Sequence, residues 1–390
     1  MKVVVLGAGL MGKEVARDLV ASDSVDRIIL ADVQKEQAEK FVATLATTKV
    51  EVVELDANDD DALKKVISKG NVVVNALFYS FNEKVANAAI EVGVHAVDLG
   101  GHIGGVTNKV LQLNDRANAA DITIIPDLGV APGMINILAG YGASQLDRVD
   151  SIKLYVGGIP TEPKPPLNYT QVFSLDGVFD HYIQPSKVIN NRVLKEVPSL
   201  SGVEPIYFEG FGVLEAFYTS GGISTLDQTF PHVKTLEYKT IRYKGHAEMF
   251  KLLADLGFLT PDNEVEVDGQ IVSVRPVIRE ALKKKLDLGD KEDVVLLRVI
   301  VTGEQAQQQV IYEYELIVKK DMATNVSAMA RATANTISVV AQMIGKGHIT
   351  ERGANPPEKV VPGHKYIKEM AKRGVIIKET SHRSSMIVNW

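Results

Sequence analysis

Three groups of residues in this 390-residue chain have types and spacings suited to chemistry. The first, Gly7-Ala8-Gly9-Leu10-Met11-Gly12, has the spacing G-x-G-x-x-G and suits a pyrophosphate. Gly7 permits a tight turn, Gly9 lets the main chain approach phosphate oxygens, and Gly12 lets a helix pack close to a strand. Asp32, 20 residues beyond Gly12, is placed to accept hydrogen bonds from the adenosine ribose hydroxyls and to repel a 2′-phosphate. Neither Val33 nor Gln34 supplies a cation to rescue that phosphate. The combination predicts NAD rather than NADP, with FAD the other user of the same fingerprint.

The second group handles protons and amines. Val97-Asp98-Leu99-Gly100-Gly101-His102 and Pro126-Asp127-Leu128-Gly129 each run a strand into an acid and glycines. Asp98 suits a substrate amine, His102 a proton carrier near neutrality, and Asp127 a group that orients a cation or a water. The same residue types also fit a turn or capping acid at Asp127 and a solvated loop histidine at His102. Tyr79 offers its hydroxyl to substrate or covers the sheet edge. Pro132 is expected to open the following helix from its first turn.

The third group is Thr240-Ile241-Arg242-Tyr243, with Thr240 and Arg242 on one face of a strand and Tyr243 on the other. Arginine suits bidentate capture of a carboxylate, though on a half-buried strand it also pairs with acids of its own chain. His181 and Arg192 are weaker candidates. The eight histidines show neither H-x-x-x-H nor H-E-x-x-H spacing, so no metal site is expected.

Elements must position these groups. Strands over 2–6, 27–31, 50–55, 71–77, 95–99 and 122–125 alternate with helical patterns beginning after Gly12 and over 60–67, 83–92 and 109–120. That rhythm predicts an α/β fold, a Rossmann-type doubly wound parallel sheet with ligands at the carboxyl ends of its strands. Cofactor contacts are then expected from Gly7, Gly9, Leu10, Met11, Gly12, Asp32, Asp56, Ala76, Leu77, Phe78, Leu99 and Gly100. Beyond about residue 150 the pattern becomes α+β, a mixed sheet with helices on one face. Strands are expected over 151–159, 204–208, 235–243, 294–302 and 309–319, and helices over 247–256, 277–286 and 325–345. The expected division is a dinucleotide-binding domain over 1–130 and a substrate and dimerisation domain over 131–345. A C-terminal segment, 346–390, then returns to the first domain.

Bulk properties remove other classes. A net charge of −6 and a pI near 5.8 argue against nucleic acid or anionic membrane as partner. No apolar run approaches the ~20 residues of a membrane span, and a strand beginning at residue 2 leaves no room for a signal peptide. With no cysteine there is no disulfide, thiolate metal site or cysteine nucleophile. A soluble, cytoplasmic protein is expected.

Taken together, Gly7 to Gly12 with Asp32, Asn75-Ala76-Leu77-Phe78-Tyr79, Asp98-Leu99-Gly100-Gly101, Asp127 to Gly133 and Thr240 to Tyr243 resemble the saccharopine dehydrogenase-like family. The run over 74–103 is similar to the lysine 6-dehydrogenase branch of that family. The resemblance implies NAD-dependent oxidation of the ε-amino carbon of L-lysine to 2-aminoadipate 6-semialdehyde, with release of ammonia. It also implies a homodimer, with Thr240, Arg242 and Tyr243 holding the substrate α-carboxylate and Tyr79 nearby. Asp98, Asp127 and His102 would form the polar set around the amine. Saccharopine reductases of the family often use NADP and carry an arginine shortly after the strand-two acid, which this chain lacks. Two alternatives stay open. One is a saccharopine or carboxynorspermidine dehydrogenase, with Lys187 and Arg192 for the extra carboxylates; the other is a non-catalytic NAD-binding sensor.

Overall fold

The computed structural model describes residues 1–101, 105–172, 174–287, 289 and 291–383. The chain forms two compact units, residues 1–141 with 330–377, and residues 142–329 with the tail from 378.

The first unit is built on β1 (Lys2–Leu6), β2 (Arg27–Asp32), β3 (Val50–Glu54), β4 (Val72–Asn75), β5 (His95–Asp98) and β6 (Thr123–Ile125). They lie in the order β3-β2-β1-β4-β5-β6, with every pair parallel. Val3, Val4, Val5, Val72, Val73 and Val74 are all without solvent exposure. Such unbroken β-branched runs belong to strands covered by helices on both faces. Strand order reverses between β1 and β4, which is where this sheet class receives its ligand. The parallel α/β expectation is met.

The boundaries differ from the expected ones. Helix Met134–Ser144 begins at Met134, not Pro132, because Gly133 accepts the first helical bond from Ile137 N and its own N–H donates to the Asn136 side chain. Most of helix Ala328–Gly345 belongs to the first unit rather than the second. Its Ser338 and Gln342 donate to Asp18, and Gln342 accepts from Ser22. The C-terminal segment divides as well. Gly353–Ala354 adds a seventh parallel strand beside β6, whereas Lys378–Arg383 joins the sheet of the second unit.

That second sheet is mixed. It contains β7 (Arg148–Pro160), β8 (Ser186–Asn190), β9 (Val193–Val197), β10 (Glu204–Phe208), β11 (Gly212–Tyr218) and β12 (Thr235–Arg242). After a separate hairpin of β13 (Glu264–Val267) and β14 (Gln270–Ser273), the long pair β15 (Asp293–Gln305) and β16 (Gln308–Lys319) completes it. Only β7 and β12 pair in parallel; the other neighbours are antiparallel.

Strand alternation sends successive residues of β11 and β12 to opposite faces. Phe217 packs with Phe179, Tyr182 and Phe250 from helices Leu175–Ile183 and His246–Asp255, whereas Leu214, Ala216 and Ile241 join Phe208 and Val294 on the other face. Each phenylalanine of the helical face contributes about 1.5–3 kcal/mol through its burial.

Candidate active site

The glycine turn is shaped by backbone contacts. Gly7 has φ +91°, in the left-handed region, and donates to Ala31 O at 2.8 Å. A Cβ on Gly12 would stand 1.8 Å from Gly7 O, so only glycine lets helix Leu10–Val20 leave the turn there. A Cβ on Gly9 would meet nothing within 4 Å, and the helix that Gly9 caps receives no side-chain hydrogen bond at its N-terminus. An open approach onto an uncapped 11-residue helix suits a phosphate group. Asp32, at the end of β2, accepts from Ala8 N at 2.6 Å and from Gln34 N at 2.7 Å. The acid is thus tied to the glycine turn. These features fit a nicotinamide dinucleotide.

Around the turn, Leu10 and Phe78 are exposed and Met11, Ala76, Leu77, Leu99 and Gly100 half-buried. Ala76 N donates to Leu6 O at 2.9 Å, which holds the β4 loop against the end of β1. Asp56 is exposed and accepts from the backbone and side chain of Asn58, which hold its carboxyl below the ordinary range.

At the ends of β5 and β6 two carboxylates are buried together. Asp98 Oδ1 accepts from Gly100 N at 2.7 Å, Asn82 Nδ2 at 3.0 Å and Asp127 N at 3.1 Å. Its other oxygen makes no hydrogen bond to a described residue. Burial and the neighbouring Asp127 charge push the Asp98 carboxyl up to about 7, against the opposing pull of the two backbone donors. Asp127, fully buried with φ +63°, accepts from Thr107 Oγ1 at 2.8 Å. Aspartate is among the few residues that tolerate that backbone region, and such outliers gather at functional sites.

The glycines between these acids make room for the protein itself. A Cβ on Gly100 would lie 2.6 Å from Asp127 Oδ1, and one on Gly101 2.1 Å from Cβ of Tyr79. Asn75 continues the buried chain by donating to Asn82 at 2.8 Å. Asn75 entered the sequence analysis only within the run 75–79 and without a role, and Asn82 and Thr107 did not enter it. A polar residue closing the valine run 72–74 was the one available signal, and it named only Asn75.

In the second unit, Arg242 ends β12 with 4% exposure, and no described carboxylate lies within ion-pair distance. Nη1 donates to Ile241 O at 2.8 Å, whereas Nε lacks a partner, as does the buried hydroxyl of Tyr169. The guanidinium lies 4.9 Å from the Tyr169 ring centroid. Burial disfavours its charge, but the phenol oxygens of Tyr182, Tyr169 and Tyr238 more than offset that and raise its basicity. His246, fully buried, bonds the Tyr182 hydroxyl at 2.9 Å. Burial and the Arg242 charge hold its imidazole well below the ordinary histidine range.

Thr240 shares that face, its hydroxyl 2.7 Å from Thr219. Tyr243 does not: its hydroxyl donates to Pro160 O at 2.9 Å and its ring packs with the opposite cluster. The expected placement of Tyr243 on the other face holds, but its hydroxyl is taken by the main chain. His181 bonds Ser220 O, Arg192 is exposed at the β8–β9 turn, and Lys187 is 4.0 Å from Asp227. His102 lies outside the described residues. Tyr169 and Tyr182 come from segments far from Arg242 in sequence. His246 lies only four residues beyond it, but on the helix that follows β12, so strand alternation did not link it to Arg242.

Comparison with known proteins adds family information. Residues 3–125 match the family model described as saccharopine dehydrogenase NADP binding domain, and residues 129–375 the saccharopine dehydrogenase C-terminal domain. Among curated relatives, a saccharopine dehydrogenase [NADP(+), L-glutamate-forming] of Saccharomyces cerevisiae is 26% identical over 309 residues, covering 75% of this chain and 66% of its own length. The mitochondrial alpha-aminoadipic semialdehyde synthase of Bos taurus is 26% identical over 273 residues, 67% of this chain and 29% of that protein. The solved apo saccharopine dehydrogenase (L-Glu forming) from Saccharomyces cerevisiae superposes with a TM-score of 0.82 at 19% identity, covering 98% of this chain and 99% of that one. That likeness is one of fold.

Proposed function

The chain belongs to the saccharopine dehydrogenase family, and from that premise we propose that it is an amino-acid dehydrogenase acting on a CH–NH2 carbon with a nicotinamide cofactor. The specific reading is NAD-dependent oxidation of the ε-amino group of L-lysine, giving 2-aminoadipate 6-semialdehyde and ammonia. The observation that carries it is Asp98, a carboxyl raised to about 7, with one oxygen held by three donors and the other without a hydrogen bond to any described residue.

NAD supplies the hydride acceptor. Hydride leaves only from an amine carbon whose nitrogen is neutral, so a base must first remove a proton from the substrate ammonium. The second oxygen of Asp98 takes that proton. Asp127, whose charge raises Asp98, adds a second negative group for the cationic amine. His102 stands with them by its sequence position. Loss of hydride from the neutral amine leaves a protonated imine; Asp98, its proton passed to solvent, then directs water to that carbon before ammonia departs. Arg242 takes the α-carboxylate, since its buried fork has no described acid within ion-pair distance and its Nε lacks a partner. Tyr79, packed on Gly101, completes the substrate contacts.

Asp32 supports NAD, although the family domain carries NADP in its description. A 2′-phosphate beside its carboxylate would meet repulsion, and residues 33 and 34 are Val and Gln. The relatives' names favour a second reading, oxidation of saccharopine. Its additional carboxylates require further cations, and Lys187 is paired while Arg192 is exposed at a hairpin turn. A homodimer accompanies the family reading.

The deciding experiment follows NADH formation at alkaline pH with L-lysine and with saccharopine, assaying ammonia in parallel. Lysine-dependent NADH with equimolar ammonia is expected. Turnover of saccharopine alone would replace the deaminase with a cleavage of amine adducts.

A further inference from the structure

His246 opens helix His246–Asp255, has no solvent exposure and takes no part in the reaction above. Its ring is clamped against Phe250 and Phe217, with centroids 4.4 and 6.1 Å away. Both nitrogens have partners, and those partners fix the proton. Nδ1 lies 3.3 Å from Leu167 O, which only accepts, so Nδ1 carries the hydrogen. Nε2 is left as an acceptor, and the Tyr182 hydroxyl at 2.9 Å donates to it. With its hydrogen committed there, Tyr182 turns its lone pairs away from the imidazole. Arg242 lies in the same buried cluster, its guanidinium 4.9 Å from the centroid of the Tyr169 ring, which stands 5.1 Å from that of His246. Tyr182 is foremost among the phenols that favour its charge.

We propose that His246 is a positioning residue: by accepting the Tyr182 hydrogen it sets the phenol dipole against Arg242, stabilising a buried guanidinium without a carboxylate. A carboxylate partner would compete with an anionic substrate group; a neutral dipole does not. Glu215, directly across the sheet from Arg242, would be that competitor, but its oxygens are taken by Gly245 N and Ala247 N. The inference rests on the reading of Arg242 as the carboxylate anchor and names what keeps that anchor available.

The full chain labelled with 15N-histidine, with His246→Phe to assign the signal, reads the tautomer directly. A neutral ring protonated at Nδ1 is expected near neutral pH; an Nε2–H ring or an imidazolium overturns the proposal. Kinetics supply an independent arm. His246→Phe keeps the ring and removes both nitrogens, and Tyr182→Phe removes the donor. Each should raise KM for L-lysine about tenfold while 1,5-diaminopentane, which has no carboxylate, and NAD change less than about twofold. His246→Gln, whose amide oxygen accepts the same hydrogen, should restore most of the loss. Equal losses on both amines would make His246 merely structural. If Arg242→Lys also fails to distinguish the two amines, the anchor reading itself falls. If it does distinguish them and His246→Phe does not, only the present inference falls.

Discussion

Glu215 and Arg242 stand opposite each other in the register of β11 and β12, yet they form no ion pair. The glutamate instead caps the backbone at the start of helix His246–Asp255, at 2.8 Å from Gly245 N and 2.7 Å from Ala247 N. A buried arginine beside an acid that is already satisfied is a costly arrangement for stability alone. It is a sensible one for a site that must accept a carboxylate from outside the chain.

Arg242→Lys keeps the charge and loses the planar fork. KM for L-lysine should rise 10-fold or more, about 1.4 kcal/mol, with NAD affinity unchanged. Steady-state kinetics and NADH titration check both halves, and an unaltered KM removes Arg242 from carboxylate binding.

Asp98 ties activity to pH in one direction and stability in the other. Its folded value of about 7 stands above the ordinary 3.8, so folding favours the protonated acid. The stability it contributes is fully present below 3.8 and is lost as pH rises through about 7. The base needs the ionised form, so kcat/KM should climb over the upper part of that interval. Asp98→Asn preserves the accepting oxygen for its three donors. It should abolish that limb of the profile, cost about 10²–10⁴ in rate and leave the protein at least as stable at alkaline pH. A variant that keeps the acid limb would assign it to another group.

Asp32→Ala should weaken NAD and narrow the gap to NADP, measured as the ratio of kcat/KM for the two cofactors. It also removes the acceptor for Ala8 N, so part of the loss should appear with both cofactors. An unchanged preference would separate Asp32 from the ribose.

Gly9 and Gly12 should respond differently to the same substitution. Gly12→Ala drives a methyl into Gly7 O and should destabilise the first unit by about 3 kcal/mol in denaturant unfolding. Gly9→Ala meets nothing in the protein, so folding should hold while NADH affinity falls about tenfold. Undiminished NADH binding by Gly9→Ala would place the pyrophosphate elsewhere.

Local chemistry made the first unit legible in the sequence. Valine runs, glycine spacing and a strand-ending acid each act over a few residues, and helix 60–67 was readable from its apolar spacing; the structure adds the Asp59 cap on Asp61 N and Ala62 N. The sequence also determined which residue types could serve an amine and a carboxylate. It did not reveal β8, β9, β11 or the tail strand Lys378–Arg383: β9 and the tail strand are short and exposed, and β11 carries a buried Glu215 within its apolar run, so each takes its place from pairing rather than from pattern.

Tertiary structure alone decided which polar groups face one another. The charge state of Asp98 depends on burial beside Asp127, 29 residues away. The cage of Arg242 draws on Tyr169, Tyr182 and His246, from different elements. Desolvation and hydrogen-bond polarity belong to a three-dimensional neighbourhood, and no spacing along the chain encodes them.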